Sequence, residues 1–340
     1  MTSLTESEEE ELVGSLRRMG LGTSGFALTR LSGGVSCDVW KVERPGAPPL
    51  VVKHALAKLR VAADWRAPPA RARAEVDWFR LVETILPGQV PHVVADDLAH
   101  DSFAMEYLEP ASHPLWKAEL AAGHIDVAFA GQVGGDLAKI HAATAGRSDI
   151  ARTFDNGPQF HALRVEPYLL FTAGRHADLA PRIQAIADGI EKARIALMQG
   201  DISPKNILVG PRGPVFLDAE TACYGDPAFD AAFCLNHLLL KCVWHPEFMA
   251  AYLESFRAWR SAYLKGAGWE NPHGLEARIA AILGVFLLAR VDGKSPVEYL
   301  TAPSDKDFVR KMARSFIARE ETSLDAMARD WGAKLKASKL

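Results

Sequence analysis

The chain has 340 residues, 49% of them apolar and 24% charged, which is the composition of a folded globular protein and not of a disordered or fibrous one. Its 39 basic and 42 acidic side chains give a net charge of −3, so the basic surface typical of nucleic-acid-binding proteins is not expected. The longest mainly apolar run, residues 279–289, is shorter than the roughly 20 residues that a membrane-spanning helix needs. We therefore expect neither a nucleic acid nor a membrane as a partner.

The sequence also favours a cytoplasmic location. Its amino terminus is acidic and has no apolar core of the kind that a secretion signal carries. The four cysteines show no Cys-x-x-Cys pairing, and a chain of this length needs no disulfides, so we expect reduced thiols. The oligomeric state stays open between monomer and dimer.

Residues 1–108 are predicted to form a small α+β lobe, because strand-like alternation surrounds one main helical segment. The predicted elements, in chain order, are a helix over residues 7–19, three antiparallel strands within residues 26–54, a helix over residues 70–86, and strands over residues 93–96 and 102–108. A glycine turn at residues 32–34 separates the first two strands.

Residues 109–340 are predicted to be mainly helical, with a boundary near residues 108–114. The predicted helices cover residues 125–143, 181–197, 230–242, 246–264 and 275–291. One hairpin, residues 207–218, interrupts them. The expected architecture is thus two lobes, a small antiparallel sheet followed by a larger helical region.

The strongest chemical signal is the segment Gln-Gly-Asp-Ile-Ser-Pro-Lys-Asn at residues 199–206. An aspartate and an asparagine on one tight loop can divide two tasks: Asp201 accepts a proton from a hydroxyl, and the amide oxygen of Asn206 binds magnesium. Asp218, at the far end of the hairpin, supplies a charged ligand for the same ion. An Asx-type turn explains either loop residue alone, but not all three in this order.

The first lobe carries residues suited to binding phosphates. Ser32, Gly33 and Gly34 form a turn whose backbone N–H groups can approach phosphate oxygens. Lys53 lies on an apolar strand, where an ammonium group is costly unless it meets an anion. Glu75, on the following helix, can orient this lysine by an ion pair.

These motifs together resemble the aminoglycoside phosphotransferase and choline-kinase-like family of small-molecule kinases, over roughly residues 25–300. The most specific parts are Q-G-D-I-S-P-K-N-I-L-V, from residue 199, and V-F-L-D-A-E-T-A-C-Y-G-D-P-A-F-D, which ends at residue 230. The resemblance implies a bilobal, protein-kinase-like fold. It also implies transfer of the γ-phosphate of ATP (GTP is possible) to a hydroxyl of a small molecule, with Mg²⁺.

The resemblance assigns roles in the second lobe. Asp201 is the implied catalytic base, and Asn206 and Asp218 are the implied magnesium ligands. Glu220 is expected to bind a second metal ion, directly or through water. Ser203 is expected to contact the nucleotide.

Further implied roles concern the first lobe and the support of the loop. Lys53 would bind the α- and β-phosphates with Glu75 behind it, and Met105–Leu108, including Glu106 and Leu108, would form the hinge that touches adenine. Asp226 and Asp230 are expected to be structural, and Gln199, where the family usually has histidine, to be a hydrogen-bonding scaffold.

Two questions stay open at this stage. The segment from Asp218 to Asp230 is too short to hold a peptide as protein kinases do, but a nucleotide-binding scaffold without transfer activity is an alternative to a small-molecule kinase. The acceptor could be a sugar, an amino alcohol, an aminoglycoside or a methylthioribose-like compound. Acidic and basic residues are balanced over residues 231–300, which favours a neutral or anionic acceptor over a polycationic drug. Arg290 either meets an anionic acceptor or stabilises the end of its helix.

Overall fold

The computed structural model describes residues 6–31, 37–56 and 71–338. The predicted phosphate-binding turn, Ser32, Gly33 and Gly34, lies outside the described residues. An antiparallel sheet with flanking helices precedes a mostly helical region, which confirms the predicted α+β, two-lobed architecture.

Within the described residues, five strands form the sheet of the first lobe: β1 (Ala27–Arg30), β2 (Cys37–Arg44), β3 (Ala47–Ala55), β4 (Val93–Asp97) and β5 (Ser102–Glu106). They pair antiparallel in the order β1-β2-β3-β5-β4. The register places Lys53 of the central strand β3 between Val39 of β2 and Phe103 of β5. Because both faces of this strand are covered, the lysine is buried although it is charged.

Two helices cover the sheet. Helix α1 (Glu6–Arg18) packs Leu12 and Leu16 against one face, and helix α2 (Arg71–Ile85) packs against the other. Helix α2 also reaches the second lobe, where the Trp78 ring meets Phe216 edge to face at 6.5 Å. This contact fixes α2 relative to the hairpin that ends beside Asp218.

The second lobe is dominated by helices, most of which match the predicted segments. In chain order the helices are α3 (Trp116–Ala121), α4 (Val127–Thr144), α5 (Ser148–Thr153), α6 (Gly157–Phe160), a π-helix (His161–Leu170), α7 (Phe171–Arg175), α8 (Ala180–Lys192), α9 (Ala228–Trp244), α10 (Met249–Gly266), α11 (Pro272–Asp292), α12 (Pro303–Ala318) and α13 (Leu324–Ser338). Helix α9 is buried along almost its whole length and forms the centre of this lobe.

Short strands hold the loops that matter for function. They are β6 (Ala196–Met198), which pairs with β9 (Cys223–Gly225), and β7 (Ile207–Gly210), which pairs with β8 (Gly213–Phe216). The hairpin β7–β8 confirms the predicted hairpin over residues 207–218.

The prediction of helix up to residue 197 is wrong, because α8 ends at Lys192 and residues 196–198 form a fully buried strand. Pairing with a segment far along the chain decides this, and local periodicity cannot reveal it.

The two lobes are joined by the segment between Glu106 and Trp116. The predicted boundary at residue 108 falls within this segment and stays a prediction. None of the helices in the described ranges has an apolar stretch long enough to cross a membrane.

Candidate active site

The centre of the site is the loop that connects β6 to β7 and carries Asp201. Gly200 precedes this aspartate with φ +83°, and a Cβ atom there would lie 2.6 Å from Oγ1 of Thr221. Only glycine tolerates both the left-handed backbone and this close approach. The loop therefore turns sharply against the segment after β8, and Asp201 is presented at the turn with 3% exposure.

Asp230, in the first turn of α9, anchors the loop from beneath. Its Oδ2 accepts the N–H of Gln199 at 2.7 Å, and its Oδ1 accepts the N–H of Gly200 at 2.8 Å. Asp226 accepts the N–H of Ala228 at 3.0 Å and pairs with Arg278. Both aspartates are buried supports of the backbone, as predicted.

Gln199 ties the Asp201 loop to the Asp218 loop. Its Oε1 accepts the N–H of Asp201 at 2.6 Å, and its Nε2 donates to the carbonyl oxygens of Leu217 and Asp218 at 2.6 and 3.0 Å. A glutamine supplies both a donor and an acceptor at one position. The prediction of a hydrogen-bonding scaffold at this position is confirmed.

Two cations contact the carboxylate of Asp201. Oδ2 lies 3.1 Å from Nη2 of Arg164 and 3.0 Å from Nζ of Lys205. Oδ1 forms no hydrogen bond or ion pair with the described residues, so one oxygen of this carboxylate is available to a ligand. Arg164 also donates from Nε to the carbonyl of Gly200. Burial opposes the charge of this guanidinium, but the surrounding acidic groups, Asp201 foremost, together raise the pKa of Arg164.

Arg164 is not among the site residues predicted from the sequence. It lies on the π-helix, between the buried residues Leu163 and Val165. A single charge inside an apolar segment was the available signal, but it could not reveal that this segment packs beneath the Asp201 loop.

Lys53 links the two lobes through two carboxylates. Its Nζ lies 2.8 Å from Oε1 of Glu75 and 2.8 Å from Oδ1 of Asp218. Burial opposes the lysine charge, but both carboxylates raise its pKa well above the usual value. Burial also raises the pKa of Glu75, to about 7, while burial of Asp218 is outweighed by Lys53 and Lys205, which lower its pKa to about 2. Asp218 is therefore a carboxylate at neutral pH.

Asp218 also has an unusual backbone. Its φ of +63° lies in the left-handed region, which is rare for residues other than glycine. Such strain persists where the surrounding structure holds it, and it is found preferentially at functional sites. Here the backbone carbonyl is held by Gln199 and the carboxylate by Lys53.

The expected metal ligands differ in their surroundings. Asn206 donates from Nδ2 to the carbonyl of Asp201 at 3.0 Å, which directs its side-chain oxygen away from that bond. With the Asp218 carboxylate it provides hard oxygen donors of the kind that magnesium prefers. Glu220 instead accepts two hydrogen bonds at its Oε2, from Nε of Arg71 at 2.8 Å and from Sγ of Cys37 at 3.5 Å. Its predicted metal contact would have to use oxygen lone pairs that these donors leave.

A cavity of about 820 Å³ joins these groups. We call one part of its wall the lysine end, formed by Val51, Lys53, Met105, Glu106, Tyr107, Leu108 and Asp218, and another part the arginine end, formed by Leu163, Tyr168, Phe233, His237, Arg290 and Ser295. Asp201 and Asn206 also line the cavity. The residues expected to form the hinge, Glu106 and Leu108 among them, thus share one cavity with the loop of Asp201.

Two residues, one of them expected from the sequence to contact the nucleotide, do not line the cavity. Ser203 is fully buried and is absent from the described cavity wall, so its expected nucleotide contact has no support in the geometry. Trp244 stacks on Tyr299 at 4.6 Å behind the arginine end and does not line the cavity either.

Comparison with known proteins agrees with this arrangement. The sequence model of the phosphotransferase enzyme family matches residues 27–273. Methylthioribose kinase 1 of Oryza sativa subsp. japonica is 25% identical over an alignment of 219 residues, which covers 56% of this chain and 51% of that protein. The chain thus spans about half the length of the curated relatives that it matches.

Solved structures share the fold at low identity. A macrolide 2′-phosphotransferase from Brachybacterium faecium is 18% identical with a TM-score of 0.53, covering 96% of this chain and 98% of that one. An aminoglycoside phosphotransferase from Alicyclobacillus acidocaldarius is 15% identical with a TM-score of 0.50, covering 99% and 98%. The chain therefore belongs to the phosphotransferase enzyme family, a family of small-molecule kinases built on the bilobal protein-kinase-like fold.

Proposed function

We propose that this protein is an ATP- and Mg²⁺-dependent kinase that transfers the γ-phosphate to a hydroxyl of a small molecule. The observation that carries the proposal is the shared cavity, in which Lys53, Asp201, Asn206 and Asp218 meet although they come from distant parts of the chain. Family membership and the methylthioribose kinase relatives support the reaction class.

The lysine end is suited to the nucleotide. Residues 105–108 lie where the sheet passes to the second lobe, and their backbone can bind a purine edge, of adenine or of guanine. Lys53 is held by Glu75 on one side and can turn its remaining donors to phosphate oxygens. We therefore propose that the nucleotide binds at the lysine end. We also propose that the boundary between the two lobes lies at residue 108.

Asn206 and Asp218 fit magnesium. Both offer oxygen donors to one cavity, and Asp218 is ionised because Lys53 and Lys205 lower its pKa despite burial. When bound there, magnesium would neutralise phosphate charge. Asp218 would then exchange part of its contact with Lys53 for the ion.

Asp201 would act on the acceptor. The acceptor hydroxyl oxygen forms a bond to the γ-phosphorus, the bond from that phosphorus to the bridging oxygen breaks, and ADP leaves. The hydroxyl proton passes to a carboxylate oxygen of Asp201, and Oδ1 is the oxygen that the described residues leave available. Arg164 and Lys205 hold the other oxygen, which orients the carboxylate.

The proposal is tested by screening transfer from ATP to sugars, amino alcohols, hydroxy acids and aminoglycosides, with release of ADP as the readout. We expect transfer to at least one class, dependent on Mg²⁺ and lost in chelator. ATP binding without transfer to any member would instead support the nucleotide-binding scaffold. Failure to bind ATP would contradict both.

A further inference from the structure

Arg290 is a buried cation that lines the arginine end of the cavity. It lies near the end of α11 and is 8% exposed. Its Nη1 donates to the carbonyl oxygen of Ser295 at 2.6 Å and lies 3.3 Å from the hydroxyl of Tyr168. Its Nε is buried and has no hydrogen-bond partner among the described residues. The bond to Ser295 agrees with support of the helix end, but Arg290 forms no ion pair with a carboxylate of the described residues. Glu298, which is paired with Lys117, interacts with it only at longer range.

His237 provides a second unpartnered donor in the same wall. It is 7% exposed, and its Nε2 is buried without a partner among the described residues, while Nδ1 lies 3.5 Å from the hydroxyl of Tyr299. Burial first, and the nearby Arg290 second, lower the pKa of this imidazole well below its usual value, so the ring is neutral at pH 7. A neutral imidazole that carries its proton on Nε2 can donate one hydrogen bond into the cavity.

The other lysines and arginines among the described residues that line the cavity have carboxylate partners. Lys117 pairs with Glu298, and both Arg164 and Lys205 pair with Asp201. Arg290 also lines the cavity, but it forms no ion pair with any carboxylate of the described residues. A buried charge without a partner is costly, and the cost falls when a ligand brings the opposite charge.

We infer that the acceptor is a hydroxy acid, whose carboxylate binds Arg290 and His237 while its hydroxyl faces Asp201. The inference rests on the proposed function and names its substrate class. One unmatched guanidinium and one neutral imidazole match a single negative charge, so a carboxylate fits better than a phosphate dianion. The Tyr168 ring, which lies 5.7 Å from the guanidinium carbon of Arg290, forms part of the cavity wall beside this anion site.

The test compares acceptors that differ only in the carboxylate. Gluconate is paired with glucitol and glycerate with glycerol, and glycerol 3-phosphate represents a phosphate anion. ADP release gives kcat and KM, and thermal unfolding with Mg²⁺ and a non-hydrolysable ATP analogue gives binding. We expect an acid to be preferred over its neutral partner by at least about tenfold in kcat/KM, which corresponds to about 1.4 kcal/mol.

Variants distinguish loss of the anion site from a general effect of removing one positive charge from the protein. Arg290→Gln should remove the preference for the acid through KM, and Arg290→Lys should keep part of it. Arg257→Gln, an exposed arginine on α10, makes the same change of charge outside the cavity and should leave the preference intact. If Arg290→Gln unfolds because the bond to Ser295 is lost, His237→Leu serves instead, with an expected several-fold loss of preference.

Each outcome decides between the claims. Acids that raise the unfolding temperature in an Arg290-dependent way without any transfer would uphold the anion site and contradict the proposed function. Preferred transfer to neutral acceptors would support the proposed kinase function and contradict the inference that the acceptor is a hydroxy acid. A preference for glycerol 3-phosphate would have the same two consequences. If no acid is preferred and none raises the unfolding temperature, or if Arg290→Gln keeps the full preference, the inference is wrong.

Discussion

The lysine end and the arginine end of the cavity differ in how their charges are balanced. At the lysine end the ammonium group of Lys53 lies between two carboxylates, each at 2.8 Å. At the arginine end Arg290 donates to a carbonyl and a hydroxyl, and it forms no ion pair with a carboxylate of the described residues. The first end is electrostatically complete before any ligand binds, whereas the second depends on what the ligand carries. If the proposals above hold, phosphate transfer depends on ion pairs that are formed in advance, and the choice of acceptor depends on a charge that the ligand must match.

The largest effect is expected from breaking the lysine end at Asp218. Asp218→Ala removes the charged metal ligand and one partner of Lys53, so we expect no detectable transfer at any Mg²⁺ concentration. Asn206→Ala removes only an amide oxygen and should recover part of its rate as Mg²⁺ is raised. The rate is measured across a magnesium titration, and full recovery of the Asp218 variant would show that it is not a metal ligand.

The loop between the two ends is tested by Asp201→Asn. This change keeps the shape and hydrogen bonding of the side chain but removes the charge, so kcat should fall by roughly 10²–10⁴-fold, the usual contribution of a general base. ATP affinity should be nearly unchanged. Asp149→Asn makes the same substitution at an exposed ion pair and serves as the control. A loss confined to KM would assign Asp201 to acceptor binding instead.

A smaller effect is expected when the ammonium group itself is removed. Lys53→Ala should weaken ATP binding or turnover by at least about tenfold, equivalent to about 1.4 kcal/mol, because the phosphates lose their cation and Glu75 and Asp218 are left unpaired. Nucleotide titration measures the change, with Lys265→Ala on the surface of α10 as the control. Equal ATP affinity in the Lys53 variant and the parent would show that the nucleotide does not bind at the lysine end.

The smallest effect concerns a cation behind the arginine end. Lys241 is 1% exposed, and its Nζ has no hydrogen-bond partner among the described residues and lies 4.8 Å from the Trp244 ring and 5.3 Å from the Tyr299 ring. Burial, with the nearby Lys117, lowers its pKa from 10.5 to about 8. Lys241→Met should therefore raise the free energy of unfolding at pH 7, by on the order of 1 kcal/mol.

The pH dependence gives the sign of this effect. Because the folded pKa is lowered, the unfolded chain binds more protons between pH 8 and pH 10.5, so the stability contribution of Lys241 rises with pH across that window. The advantage of Lys241→Met should shrink accordingly. Denaturant unfolding at pH 7 and pH 9.5 measures both values. A parent that is more stable than the variant at pH 7 would mean that the aromatic contacts outweigh the cost of burial.

Much of the fold and of the lysine end could be predicted from the sequence, because the signals are local. Alternation of apolar residues indicated the three strands around Lys53, and the hairpin β7–β8 followed from its turn. The spacing of Asp201, Asn206 and Asp218 indicated one site, and the structure brings all three to one cavity. Their individual roles stay predictions until the variants are measured.

The tertiary structure alone decided the rest. Residues 196–198 form a strand only because Cys223–Gly225 lies beside them, and Arg164 reaches Asp201 only because the π-helix packs beneath the loop. The wall around Arg290 is likewise assembled from the π-helix, α9 and α11. Periodicity reports which face of an element is buried, but not which distant element covers it. A charge left unmatched at such a junction is therefore visible only once the chain has folded.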